Sequence, residues 1–146
     1  MLFLYIFLLS ILPLSIILGD SKFRFNTTFY CHLDQYSKFA IDFKDRDKFS
    51  RDDKITEKYK REFEYGHFHE IFHGIMYGGD EIGSNEYKVV MKLKHNCFND
   101  ARFKIFYINL DEPCPEDKNC HYDIIIDLTN YVSTPWGYWV ENFYLY

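Results

Sequence analysis

The sequence predicts an all-β protein: an antiparallel two-sheet sandwich of seven to eight short strands, with room for one short helix. Three observations predict it. Apolar residues recur at every second position in several segments, the period of a strand with one buried and one wet face. The chain carries 15 Phe and 13 Tyr, rings that favour strands. Turn-forming residues separate the alternating segments at roughly 8–12-residue spacing, the rhythm of a sandwich.

The clearest segment is 87–97. Tyr87, Val89, Met91, Leu93, His95 and Cys97 share one parity, opposite Lys88, Val90, Lys92 and Lys94. A helix would mix the two classes. Upstream, Phe23, Phe25, Thr27, Phe29 and Cys31 alternate with Lys22, Arg24, Asn26, Thr28 and Tyr30, a first strand. Phe39, Ile41 and Phe43 alternate with Lys38, Asp42 and Lys44, a second. Residues 45–54 are almost entirely charged around Phe49 and read as a loop. Residues 55–63 suit helix or strand spacing, with strand preferred because Tyr65-Gly66 resembles a turn into a strand over 67–74. The short helix would lie between Gly78-Gly79-Asp80 and Gly83-Ser84-Asn85. Residues 103–108 are apolar on both parities, as in a strand covered on both sides. Residues 111–119 form a loop, 122–128 a strand, and the aromatic 136–146 supplies a last one.

Composition bounds compartment and partner. Residues 2–18 are apolar but for Ser10, Pro13 and Ser15, and small Gly19 follows. This reads as a signal peptide over 1–19, with the domain over 20–146. The rival is a membrane anchor. A spanning helix wants roughly 20 apolar residues, and Pro13 interrupts this shorter run. No second segment is apolar enough to span, so an extracellular, secreted chain is expected after cleavage. Its formal net charge of −5 argues against nucleic acid as a partner. Four cysteines, Cys31, Cys97, Cys114 and Cys120, read as two disulfides, with three connectivities open. No C-x-x-C pair favours a metal instead. Asn26-Thr27-Thr28 is a glycosylation sequon, with Asn26 on a wet strand face.

The order of landmarks resembles a known family. A first strand ends in Cys31. Phe39-Ala-Ile-Asp-Phe43 runs into Asp45-Arg-Asp47 and then Asp52-Asp53-Lys-Ile55. Gly66-His-Phe68, the strand end His95-Asn-Cys97, Cys120, Ile124-Ile-Ile-Asp127 and Asn130-Tyr-Val132 follow. Over most of residues 22–132 this is similar to the transthyretin-like family of small secreted nematode proteins. The chain departs from that pattern in its extra Cys114 and in lacking a C-terminal cysteine. The resemblance implies a transthyretin-type sandwich, broadly immunoglobulin-like in layout, an extracellular location, and no established enzymatic activity. It further implies a Cys97–Cys120 bridge, leaving Cys31 with Cys114. An enzyme on the same fold, the transthyretin-related hydrolase of 5-hydroxyisourate, carries a C-terminal Tyr-Arg-Gly-Ser. This chain ends Phe143-Tyr-Leu-Tyr146, so that activity is not expected.

Three constellations invite chemistry. His67, His69 and His73 share one strand face, and imidazoles at alternate positions can ligate zinc. Ile71 shares that face, which favours an ordinary strand surface; no metal and no cofactor are expected. Asp45, Asp47, Asp52 and Asp53 offer oxygens to calcium, but Arg46, Lys48 and Arg51 repel a cation, so a solvated turn is the better reading. His95 beside Cys97 resembles a nucleophilic pair, but a disulfide at Cys97 removes the thiolate. His95 is better read as a core histidine bonded to backbone. The expectation is therefore a non-catalytic extracellular binding or signalling module with a protein or lipid partner. Its contact surface would lie around Trp136, Tyr138 and Trp139. The alternatives are a carrier of a small apolar ligand or lipid and, third, a metal-dependent enzyme.

Overall fold

Alternation in the sequence becomes strand nearly everywhere it occurs. The structure is a computed structural model. It describes residues 20–47, 51–64, 66–77 and 85–129, and the backbone of a last strand at 139–145. The expected signal segment, 1–19, and most of the expected helix lie outside the described residues. Eleven strands are described: β1 (Asp20–Cys31), β2 (Ser37–Asp45), β3 (Asp53–Lys54), β4 (Tyr59–Phe63), β5 (Gly66–Tyr77), β6 (Glu86–Tyr87), β7 (Val89–His95), β8 (Lys104–Asn109), β9 (Cys114–Pro115), β10 (Asn119–Asp127) and β11 (Trp139–Leu145). Three are two-residue pairings, and the other eight build the sandwich. The described residues contain no helix.

One sheet has the order β11-β10-β1-β5. The other has β3 and β4 against successive stretches of one flank of β2, followed on the other flank by β7 and β8. A third, two-stranded pairing joins β6 to β9. In β1 burial alternates residue by residue, with Phe23, Phe25, Thr27, Phe29 and Cys31 inward. Phe39, Ile41 and Phe43 of β2, Met91 and Leu93 of β7, and Tyr122, Ile124 and Ile126 of β10 meet them. The Phe25 and Phe43 rings, from opposite sheets, lie 3.7 Å apart and almost parallel, and Tyr122 stacks on Phe25 at 5.3 Å. Phe39 gathers Phe29, Phe63 and Phe68 around it. Each such buried side chain contributes roughly 1.5–3 kcal/mol, and among the described residues six Phe and two Tyr are buried in this way.

Strand direction is where the molecule departs from an all-antiparallel sandwich. β1 and β10 run parallel, from Lys22 beside Asn119 to Tyr30 beside Asp127. This overturns the disulfide pairing that the family resemblance implies. Cys120 lies beside Phe23, and Cys31 is eight residues further along the same strand, roughly 26 Å away at strand rise. Cys97 follows β7 at the Cys31 end. The bridges are accordingly Cys31–Cys97, which ties the two sheets together, and Cys114–Cys120, which closes a short loop before β10.

Three segments differ from expectation. Residues 55–58 are not strand; Ile55 is buried, and its N–H donates to the Phe43 carbonyl. β5 continues through Gly74 to Tyr77. A Cβ at Gly74 would run into the Ile55 carbonyl oxygen, so this glycine permits close approach and does not end the strand. β8 is not covered on both faces: Ile105 is 51% exposed and Tyr107 58%. β8 is the last strand of its sheet, and only Phe106 and Ile108 face the core.

Candidate functional site

The two outer sheet faces carry all the surface chemistry that the register brings together. On the four-stranded sheet, β5 presents His67, His69, Ile71 and His73 outward. They lie opposite Tyr30, Thr28, Asn26 and Arg24 of β1, and those in turn lie beside Asp127, Ile125, Asp123 and His121 of β10. The polar groups engage across strands. Asn26 Nδ2 donates to Asp123 Oδ1 at 2.8 Å, and Arg24 donates to His121 Nε2 at 3.3 Å. The Thr28 hydroxyl lies 3.4 Å from His69 Nδ1. His32 stacks on Tyr30 and sits 3.8 Å from Asp127, while the His67 ring lies 5.9 Å from that of Tyr30.

The expected zinc candidates, His67, His69 and His73, thus share a face but do not converge. Neighbours at alternate strand positions stand roughly 7 Å apart, and Ile71 separates His69 from His73. Among the described residues, no group of three or more His, Cys, Asp or Glu is placed to hold a metal.

The five-stranded sheet is different. Lateral register sets Lys60 of β4, Ala40 of β2, Lys94 of β7 and Ile105 of β8 in one row. Ala40 is the shortest side chain in that row and leaves a depression between two lysines. The result is a groove of about 640 Å³ floored by Phe39 and Ala40. Lys38, Lys58, Lys60, Arg61 and Lys94 bring five cations to it, and Phe103 closes one side. Glu62 is the one acid among the described lining residues, and it is held by Lys38 at 2.8 Å. Among the described residues no carboxylate lies within ion-pair distance of the other four cations.

Beside the groove, Phe103, Ile105 and Tyr107 form an exposed apolar ledge. Lys94 Nζ sits 4.9 Å from the Phe103 ring centre and Lys92 Nζ 5.4 Å from that of Tyr107. A cation over a ring is held in place while its remaining donors stay free for a ligand.

The one buried histidine is not reactive. His95 is fully enclosed, and its Nδ1 accepts from the Cys97 backbone N–H at 3.3 Å. Its ring stacks on both Phe98 and Phe106, which also touch each other. Burial, aided by nearby Lys104, pushes its pKa down to about 4. All four cysteines are bonded, so no thiolate stands beside it. This is the core histidine expected from the sequence.

Asn26 lies on the outer face of β1, on the sheet opposite the groove. Trp136 and Tyr138 lie outside the described residues, and Trp139 enters only as a backbone position of β11 paired with Ile125. The groove was missed in the sequence. Its signal was present, since Lys38, Lys60 and Lys94 all hold wet positions in alternating segments. That those segments are neighbours is a matter of sheet order.

No protein-family model, no curated protein and no solved structure matches this chain.

Proposed function

We propose that this chain is a secreted, non-catalytic binding module that takes an anionic extracellular partner in the groove over β2. The observation that carries the reading is the concentration of charge: five cations around one paired acid, on a chain whose net charge is −5. Lysines from three separate strands, Lys38, Lys60 and Lys94, meet around Ala40. Two disulfides fit an oxidising compartment. The apolar run over 2–18 supports export. A carbohydrate on Asn26 would project from the other sheet and leave the groove open.

The carrier alternative has less support. The described interior is filled by stacked rings, and the groove is lined by charge. Kinship with the transthyretin-like family is supported by the order of sequence landmarks, and the bridge it implies between Cys97 and Cys120 is not the one formed.

The test is retention of the purified, oxidised protein on an anionic matrix compared with a cationic matrix of equal charge density. Retention on the anionic matrix is expected at low salt, and it should weaken in K60E/K94E. Equal retention of wild type and variant would remove the groove from the reading.

A further inference from the structure

We infer that the occupant of the groove is a sulfated glycan chain, an inference that rests on the anion-binding reading above. Three features of the groove choose among polyanions. The first is the state of its floor. From Ser37 to Ile41, β2 is paired with β4 on one flank, and from Phe39 it is paired with β7 on the other. At Phe39, Ala40 and Ile41 no backbone edge is left for a peptide to extend the sheet, which is how extended peptides usually gain affinity. Over this floor the ligand is read by side chains.

The second feature is the kind of side chain. Lys60 and Lys94 flank Ala40 from neighbouring strands on either side, so their anchor points stand roughly 10 Å apart across the groove. Their ammonium groups are compact point charges on flexible stems, suited to clusters of oxyanions spaced along a polymer. A linear chain can lie along a groove with an anion toward each wall. A bilayer headgroup plane is flat on this scale and cannot descend to a floor at Ala40.

The third is the apolar ledge. Phe103 is 49% exposed beside Lys94 and adjoins Ile105. The negative face of an aromatic ring attracts the positive C–H edge of a saturated sugar ring. A polyglutamate or polyaspartate chain carries no such surface. Cations next to a half-exposed ring therefore match a polymer in which anions and C–H faces alternate. A sulfated glycan has that chemistry, and it is met outside the cell, where two disulfides persist.

The experiment uses the full oxidised chain against four immobilised probes: heparin, chemically desulfated heparin, polyglutamate, and vesicles of phosphatidylcholine with phosphatidylserine. Heparin is expected to bind tightest, with affinity falling as salt rises. K60A/K94A should weaken it about tenfold, two exposed ion pairs each being worth up to about a factor of five. Phe103→Ala should weaken heparin about threefold and leave polyglutamate unchanged. Lys22→Glu, on the opposite sheet, changes net charge by more than one lysine-to-alanine change and should have little effect on heparin. Circular dichroism and the disulfide map of each variant establish that it folds. Polyglutamate, vesicles or desulfated heparin binding as tightly as heparin would overturn the glycan assignment while leaving an anion-binding face. Equal loss in Lys22→Glu, or no loss in K60A/K94A, would overturn both readings together.

Discussion

The outer face of the four-stranded sheet and that of the five-stranded sheet arise from the same alternation and end up chemically opposite. On the first, polar side chains find each other across strands: Asn26 with Asp123, Arg24 with His121, Thr28 with His69, His32 with Asp127. On the second, Lys38 pairs with Glu62 and Lys44 with Asp42, but Lys60 and Lys94 flank an alanine and meet no carboxylate among the described residues. The lesson is that polarity alone does not mark a site. Histidines and carboxylates that satisfy one another leave little to offer a ligand. Lys60 meets no carboxylate among the described residues and Lys94 only rests on the Phe103 ring, so both keep donors for an anion.

The comparison can be broken at the bridge that keeps the two sheets in place. Cys31–Cys97 joins residues 66 apart in sequence, whereas Cys114–Cys120 spans 6. In the chain-entropy account the long loop is worth about 4 kcal/mol and the short one about 2. Denaturant unfolding of the double variant C31A/C97A should show the larger loss. If C114A/C120A loses as much or more, the inter-sheet staple is not what keeps the two sheets in place.

The next largest effect lies on the buried side of the lysine-bearing sheet. His95 is neutral when folded, with a pKa near 4 in place of its ordinary 6.5. Between pH 6.5 and about 4 the unfolded chain takes up a proton that the folded chain refuses. The stability due to this residue is therefore complete above pH 6.5 and is lost as pH falls, by about 3 kcal/mol at pH 4. Comparing unfolding at pH 7.5 and pH 4, His95→Phe should flatten the pH dependence by about that amount. Its ring replaces the imidazole against Phe98 and Phe106. An unchanged acid sensitivity in the variant would assign it to other groups.

The smallest effect sharpens the contrast from within the groove. Glu62 is exposed and pairs with Lys38, a surface ion pair worth about 0–1 kcal/mol. Glu62→Gln should move the unfolding midpoint little, yet tighten binding to an anionic matrix by freeing a fifth cation. Weaker binding in this variant would mean that the carboxylate itself contacts the ligand.

The inward and outward assignments along β1, β7 and β10 could be read before any coordinates, because pleating makes side chains alternate within each strand. His95 could be placed in the core for the same reason. The misreadings came where neighbours, not the strand itself, set the outcome. The apolar run of β8 looked covered on both sides, but a two-layer sandwich puts no third layer over the outer face, so Ile105 and Tyr107 stay exposed. Gly74 looked like a terminus, but Ile55 presses against it from another segment. The two-residue period belongs to each stretch of chain and is written in the order of its residues. Which stretch lies alongside, and whether it runs up or down, depends on contacts between residues about a hundred positions apart, as with Phe23 beside Cys120 and Arg24 beside His121. That parallel pairing set the disulfides, and the adjacency of β4, β2 and β7 made a groove of lysines that are scattered in sequence. Burial of a common interior selects such neighbours all at once, and no single segment encodes them.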